Sequence, residues 1–285
     1  MKKTQCPLCG QPATTKEHII PRWLQSAYDL SNQSLGLHNG TVIKYNRATI
    51  PLCRECNGDR LSKLEVKIQK GTANEHEYYL WGLKIRYFLT LKDVSLLFDR
   101  RDPSKGSMVH EAERKRGIEF ITNALLNCDN PDYIFFPRPF GSVFIFKNCK
   151  PTQNFDLIDL PNPYWGLCIT IPDDKILAVL FTDRGLVKKS MLRSFKSSVE
   201  LDSYFQKLFQ GSTAEGVRQL MFVLCIRQHL ISNIPNGFHL SSNGIRSDLP
   251  EHILYNKSID KVFAALMAKR FGFPDNLIFD LISQL

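Results

Sequence analysis

Leu52-Cys53-Arg54-Glu55-Cys56-Asn57, with its earlier counterpart Cys6-Pro7-Leu8-Cys9, is the stretch on which the fold of this chain turns. A tight turn between two cysteines spaced C-x2-C aims both thiolates at one point. Two such knuckles supply the four sulfurs of a tetrahedral zinc site. The other cysteines, Cys128, Cys149, Cys168 and Cys225, are scattered, and Cys168 and Cys225 lie in apolar runs typical of core positions. A disulfide framework would need a denser cysteine supply and an oxidising compartment. The amino end, Met1-Lys2-Lys3-Thr4-Gln5, has the charge of a secretory leader with no apolar segment behind it. Structural Zn2+ on Cys6, Cys9, Cys53 and Cys56, in a cytoplasmic protein, is the expectation.

Between the knuckles, Thr14-Thr15-Lys16-Glu17-His18-Ile19-Ile20-Pro21 reads as a short extended piece ended by proline. Residues 25–47 are rich in Ser, Asn and Gly and predict irregular loop, with a turn at His38-Asn39-Gly40. Ala48 to Cys53 predicts a second strand leading into the second knuckle. From Asn57 to about Lys70, Leu61, Leu64 and Ile68 recur at spacings of three and four, the period of a helix. The order is strand, loop, strand, helix, stapled at its base by zinc.

This arrangement carries an acid–histidine pair, Glu17-His18, and an amide, Asn57, directly after the last cysteine. Neighbours on a strand point to opposite faces, but the twist at a strand end can bring both towards one site. A carboxylate and an amide carbonyl are hard oxygen ligands of the kind Mg2+ takes, with water and phosphate in the remaining positions. A neutral histidine can accept a proton from an attacking water near neutral pH. Together these groups suit metal-assisted hydrolysis of a phosphodiester.

The pattern Cys6-x2-Cys9, Glu17-His18-Ile19-Ile20-Pro21, Leu52-Cys53-x2-Cys56-Asn57 resembles the HNH endonucleases, whose core is the ββα-metal fold. The resemblance covers about residues 4–68. It implies His18 as general base, Glu17 and Asn57 as ligands of a catalytic Mg2+ or Mn2+, and the four cysteines as zinc ligands. It implies cleavage of DNA, with RNA left open, to 5′-phosphate and 3′-hydroxyl ends. Two departures stand out. The acidic position is more often Asp in that family, and Ala48 sits where its middle Asn or His is usual, with Asn46 and Thr49 the nearest replacements. Asn39 and His38, in the long insertion, are further groups within range of the site.

Each residue also has a plainer reading. Glu17 could ion-pair with Arg54 or Arg60, Asn57 could be a helix N-cap, and Trp23 could pack on the helix rather than stack on a base. Glu65, two turns beyond Asn57, could cap, pair or support the site. Lys16, Arg22, Arg54, Arg60 and Lys63 are the expected phosphate contacts. They belong to a region of marked charge asymmetry: residues 1–70 hold 11 Lys/Arg and 5 Asp/Glu, so six of the nine excess positive charges lie there. A compact positive region concentrates phosphate polyanions.

Gly71-Thr72-Ala73-Asn74 reads as a domain boundary, giving a nuclease module over 1–74 and a larger α+β domain over 75–285. The second part predicts helices at 75–95 and 109–127 and strands at Tyr133–Phe136, Ser142–Phe146, Trp165–Ile171 and Lys175–Thr182. The last two strands flank a hairpin turn at Pro172-Asp173-Asp174. Ser212-Thr213-Ala214-Glu215 has the form of a capping box before a helix reaching about Ile231. Helices over 258–270 and 275–284 close the chain. With 43% hydrophobic and 23% charged residues among 285, the composition is that of a folded protein and excludes a disordered chain. No apolar run approaches the roughly 18–20 residues of a membrane span. Nucleases with an added domain of this size resemble effectors of bacterial defence against phage. That resemblance implies restraint of cleavage by the second domain or a partner; the larger part is otherwise expected to select substrate, bind a regulatory protein or make a homodimer.

Overall fold

The computed structural model describes residues 4–37, 39–94, 96–107, 111–147, 154–160, 166–195, 197, 199–201, 203–204, 218, 220–221, 223–224, 228 and 239–247. His38, the capping-box segment at 212–215 and the helices expected over 258–270 and 275–284 lie outside them. The chain is mixed α+β, and it divides into two compact units, one of residues 1–134 with 240–245, the other of 135–239 with 246–285.

The first unit begins with β1 (Thr15–His18), which pairs antiparallel with β4 (Thr49–Leu52) in the register Thr15 to Leu52 and His18 to Thr49. The expected loop over 25–47 is more ordered than its composition suggests. Helix α1 (Arg22–Ala27) follows Pro21, and β2 (Ser34–Gly36) pairs with β3 (Val42–Lys44) before a 3-10 turn at Tyr45–Arg47. The two strands pair with each other, but at three residues each they are too short to show a period in the sequence.

After β4 the backbone winds wide, as a π-helical turn over Glu55–Leu61, and then tightens into α2 (Ser62–Gln69). Leu61, Leu64 and Ile68 are buried on one face, as their spacing requires. Gly71, with φ 67°, closes this helix, its N–H donating to the Ile68 carbonyl at 3.0 Å. Glycine is favoured there because that conformation strains any residue with a Cβ. The expected boundary at 71–74 is thus a helix end inside the first unit. The chain passes directly into α3 (Glu75–Val94), which is buried around most of its circumference and carries the wholly buried Trp81, Tyr79, Tyr87 and Phe88. Helix α4 (Glu111–Leu126) follows, and its Phe120, Ile121, Ala124 and Leu125 are buried.

After β5 (Ile134–Phe136) come the strands of the second unit: β6 (Ser142–Lys147), β7 (Leu157–Leu160), β8 (Gly166–Ile171) and β9 (Lys175–Leu180). They form one antiparallel sheet in the order β6-β9-β8-β7. Every residue of β8 is buried, consistent with its nearly continuous apolar run. Asp173 and Asp174 take left-handed conformations (φ 64° and 57°) in the β8–β9 turn, which Asp tolerates better than most residues. Helix α5 (Leu186–Ser194) follows β9, and β10 (His239–Ser241) and β11 (Gly244–Arg246) are short strands of the later chain. Among the described residues, no helix is long and apolar enough to cross a membrane.

Candidate functional site

The two knuckles meet. Ligand sulfurs of Cys6, Cys9, Cys53 and Cys56 all lie within 4.8 Å of one another, and tetrahedral zinc–sulfur bonds of about 2.3 Å would put them roughly 3.8 Å apart. Cys6, Cys53 and Cys56 are buried. Burial, with the neighbouring Cys53 and Cys9 thiols, drives the Cys56 thiol far above its usual range. A cation at the centre would reverse that effect and stabilise the thiolates, so the four residues fit a metal ion.

Supports from elsewhere in the first unit clasp this cluster. The Tyr87 hydroxyl donates to the Pro7 carbonyl, inside the first knuckle, at 2.9 Å. Arg60 donates through Nη1 to Cys56 Sγ at 3.9 Å, through Nε to Asp129 at 3.3 Å and through Nη2 to Glu55 at 3.2 Å. Its guanidinium, expected on phosphate, is engaged with two carboxylates and a cysteine sulfur. Lys16, Arg22, Arg54 and Lys63 are exposed.

The three groups expected to act together each have a distinct anchorage. His18 closes β1, half-buried, with the main chain of Asn46 near its imidazole. Burial first, then the Arg22 guanidinium, hold its pKa below the usual histidine range, with Lys84 adding to them and Glu17 opposing. Both effects favour the neutral imidazole, the form that can take a proton. Asn46 thus meets His18 through its main chain, and Thr49 lies opposite His18 in the ladder. Asn39 is committed to its own loop and to the Leu97 carbonyl, 3.1 Å away.

Asn57 lies inside the π-helical turn, its N–H donating to the Cys53 carbonyl at 3.1 Å, so the N-cap reading does not hold. Its Nδ2 donates to Thr15 Oγ1 at 3.1 Å. That bond commits the amide nitrogen and turns the carbonyl oxygen away from Thr15. Thr15 and Glu17 share one face of β1 by the two-residue period, and Lys16 and His18 share the other.

Glu17 meets neither Arg54 nor Arg60. Its carboxylate pairs with Lys84 of α3, Nζ to Oε1 2.5 Å, and the same ammonium pairs with Glu65 of α2. Lys84 is wholly buried. Burial opposes its charge, yet the Glu65 and Glu17 carboxylates hold its pKa above the usual lysine range. No local signal in sequence marks Lys84; an i, i+3, i+7 row of Trp81, Lys84 and Phe88 looks like a core stripe with one misplaced charge. Trp23 stacks against Trp81, ring centroids 6.1 Å apart, which is the packing role rather than a base-stacking one.

Comparison with protein-family models, with curated proteins and with solved structures gives no match for this chain.

Proposed function

We propose that the first unit is an HNH-type, divalent-metal-dependent endonuclease acting on DNA, with zinc in the four-cysteine cluster. The observation that carries the reading is the placement of His18: a half-buried imidazole at the end of β1, beside the β4 partner strand, where burial and the Arg22 guanidinium disfavour the charged form. A general base must be unprotonated and fixed before it can take a proton from water. The strand, strand, helix order of β1, β4 and α2 supports the reading, being the order that the resemblance of the motif implies. Glu17 and Asn57 supply hard oxygen donors of the type Mg2+ or Mn2+ takes. When bound, such an ion stabilises charge on the phosphate and on the leaving oxygen. Lys16, Arg22, Arg54 and Lys63 would hold the polyanion, while Arg60, engaged with Asp129 and Glu55, contributes less. The second unit would select substrate, bind a regulator or pair two copies.

A second reading, a zinc-dependent nucleic-acid-binding or adaptor protein without catalysis, draws on one observation: the Glu17 carboxylate is already matched by Lys84. Plasmid degradation with Mg2+ or Mn2+, wild type against His18→Ala, separates the two. The nuclease reading expects a loss on the order of a hundredfold or more in the variant. Equal nicking by both proteins, or no cleavage of DNA or RNA with either metal, would leave the adaptor reading.

A further inference from the structure

The carboxylate of the acid–histidine pair is held by a lysine that lies outside the motif. Lys84 Nζ is 2.5 Å from Glu17 Oε1 and also contacts Glu65 Oε1; the lysine side chain is fully buried, while the carboxylates keep 15% and 17% exposure. Phe88, one turn along α3, sets its ring centroid 5.5 Å from the ammonium, and the buried Trp81 lies one turn before it. One aromatic ring therefore flanks the amine, and its hydrogens meet acids on two other elements, β1 and α2. An ammonium offers three donors and accepts nothing. Two carboxylates against one ammonium leave one formal negative charge at the edge that water reaches.

We infer that Lys84 is a positioning residue of the hydrolytic site. It is a resident cation that fixes the Glu17 carboxylate and, by filling the space between Glu17 and Glu65, keeps these two acids from chelating a divalent ion on their own. The inference rests on the nuclease reading for what Glu17 does, and on geometry for what Lys84 does. A mere strut between α3, β1 and α2 would behave differently. Loss of a strut loosens the site, so metal affinity and turnover fall together. Loss of a resident cation removes a repulsive charge at contact distance and frees Glu17 Oε1, the one oxygen of that carboxylate that Lys84 holds, so metal affinity rises while turnover falls.

Binding of Mn2+ to the full-length, zinc-loaded protein, followed by the electron paramagnetic resonance of free Mn2+, distinguishes these outcomes. The variants are Lys84→Met and Lys84→Met/Glu65→Gln; the double substitution removes one charge of each sign and avoids leaving two unmatched acids. Circular dichroism establishes that each is folded. Both variants are expected to bind Mn2+ on the order of tenfold more tightly than wild type, and to cleave plasmid on the order of tenfold more slowly at saturating Mn2+. Unchanged or weaker Mn2+ binding in the folded double variant overturns the inference, whatever happens to cleavage. Failure of both variants to fold also overturns it, because the lysine is then a strut. The His18→Ala comparison decides the nuclease reading separately. A chain that cuts nothing, yet binds Mn2+ more tightly without Lys84, loses that reading and keeps the resident cation.

Discussion

Asn57 Nδ2 donates to Thr15 Oγ1 at 3.1 Å, and Thr15 Oγ1 donates onward to the Leu52 carbonyl at 2.9 Å. One hydroxyl thereby joins the helix after the second knuckle to both strands of the β1–β4 ladder. Thr15→Val keeps the shape and removes the link, leaving the Asn57 amide without its acceptor. The expected cost is about 1–3 kcal/mol of stability in denaturant unfolding of the full chain, with slower cleavage as the Asn57 carbonyl loses its fixed direction. A variant as stable as wild type would show that the amide finds another acceptor.

The depressed pKa of His18 sets two pH dependences. Burial and Arg22 disfavour the imidazolium in the folded chain, so the acid limb of the cleavage profile is expected below pH about 6.5, the unperturbed value. The folded state also binds fewer protons than the unfolded one. The stability this provides is complete above about pH 6.5 and is lost as pH falls through the folded value. Thermal unfolding of His18→Ala should lack that loss, and a midpoint at or above 6.5 for the wild-type acid limb would contradict the environment described here.

The four-cysteine cluster predicts one tightly held zinc per chain by native mass spectrometry. Because folding assembles the ligands, metal binding and folding are linked. Cys56→Ser, or removal of the ion by a chelator, should lower the stability of the first unit by at least about 3 kcal/mol. Hydrogen exchange in the first knuckle, where the Gly10 amide donates to the Cys6 carbonyl, and along β4 should rise first. A chain that is unchanged after the metal is stripped would be inconsistent with a structural role for the cluster.

Cys128 provides a contrast with the ligand cysteines. Burial, with the Asp129 carboxylate beside it, pushes its thiol up to about 12, despite the nearby Arg60. The thiolate is the reactive form, so alkylation by iodoacetamide at pH 8 should run on the order of a hundredfold slower than for an ordinary free cysteine. Peptide mapping after a timed pulse checks this. Rapid labelling of Cys128 would mean that it is more open to solvent than the structure has it.

In the second unit, Asp183 accepts from the Ser142 amide at 2.7 Å, the Ser142 hydroxyl at 2.5 Å and the Val187 amide at 2.9 Å. It ties the start of β6 to the first turn of α5. Asp183→Ala orphans those donors and uncaps the helix, at an expected cost of about 2–4 kcal/mol. Hydrogen exchange should show the loss at Val187 and Lys188 while the first unit's exchange is unaltered. Equal protection of α5 in the variant would sink the assignment.

Much of the first unit was legible because its signals are local. A C-x2-C turn needs only its own residues to aim two sulfurs, and the spacing of Leu61, Leu64 and Ile68 writes one buried helix face directly. The hairpin at 172–174 was legible for the same reason, since aspartate can take the left-handed conformations the turn requires. The small strands β2 and β3 were not, because three residues are too few to show an alternating pattern, although the two pair with each other. Gly71 is harder to read for a physical reason: glycine after a helix punctuates the helix, and the same residue type also marks linkers.

What the residues alone determined is the pair of cysteine knuckles, the strand ending in Glu17-His18 and the helix that begins around Asn57, each an instruction about neighbours in the chain. What only the tertiary structure decided is the company each polar group keeps: Lys84 between Glu17 and Glu65, Arg60 turned to Asp129 and Cys56, and Asn57 on Thr15. The choice of a charge partner depends on which elements pack together and how much water they exclude. That energy is set by distances across the fold, which no spacing along the chain records.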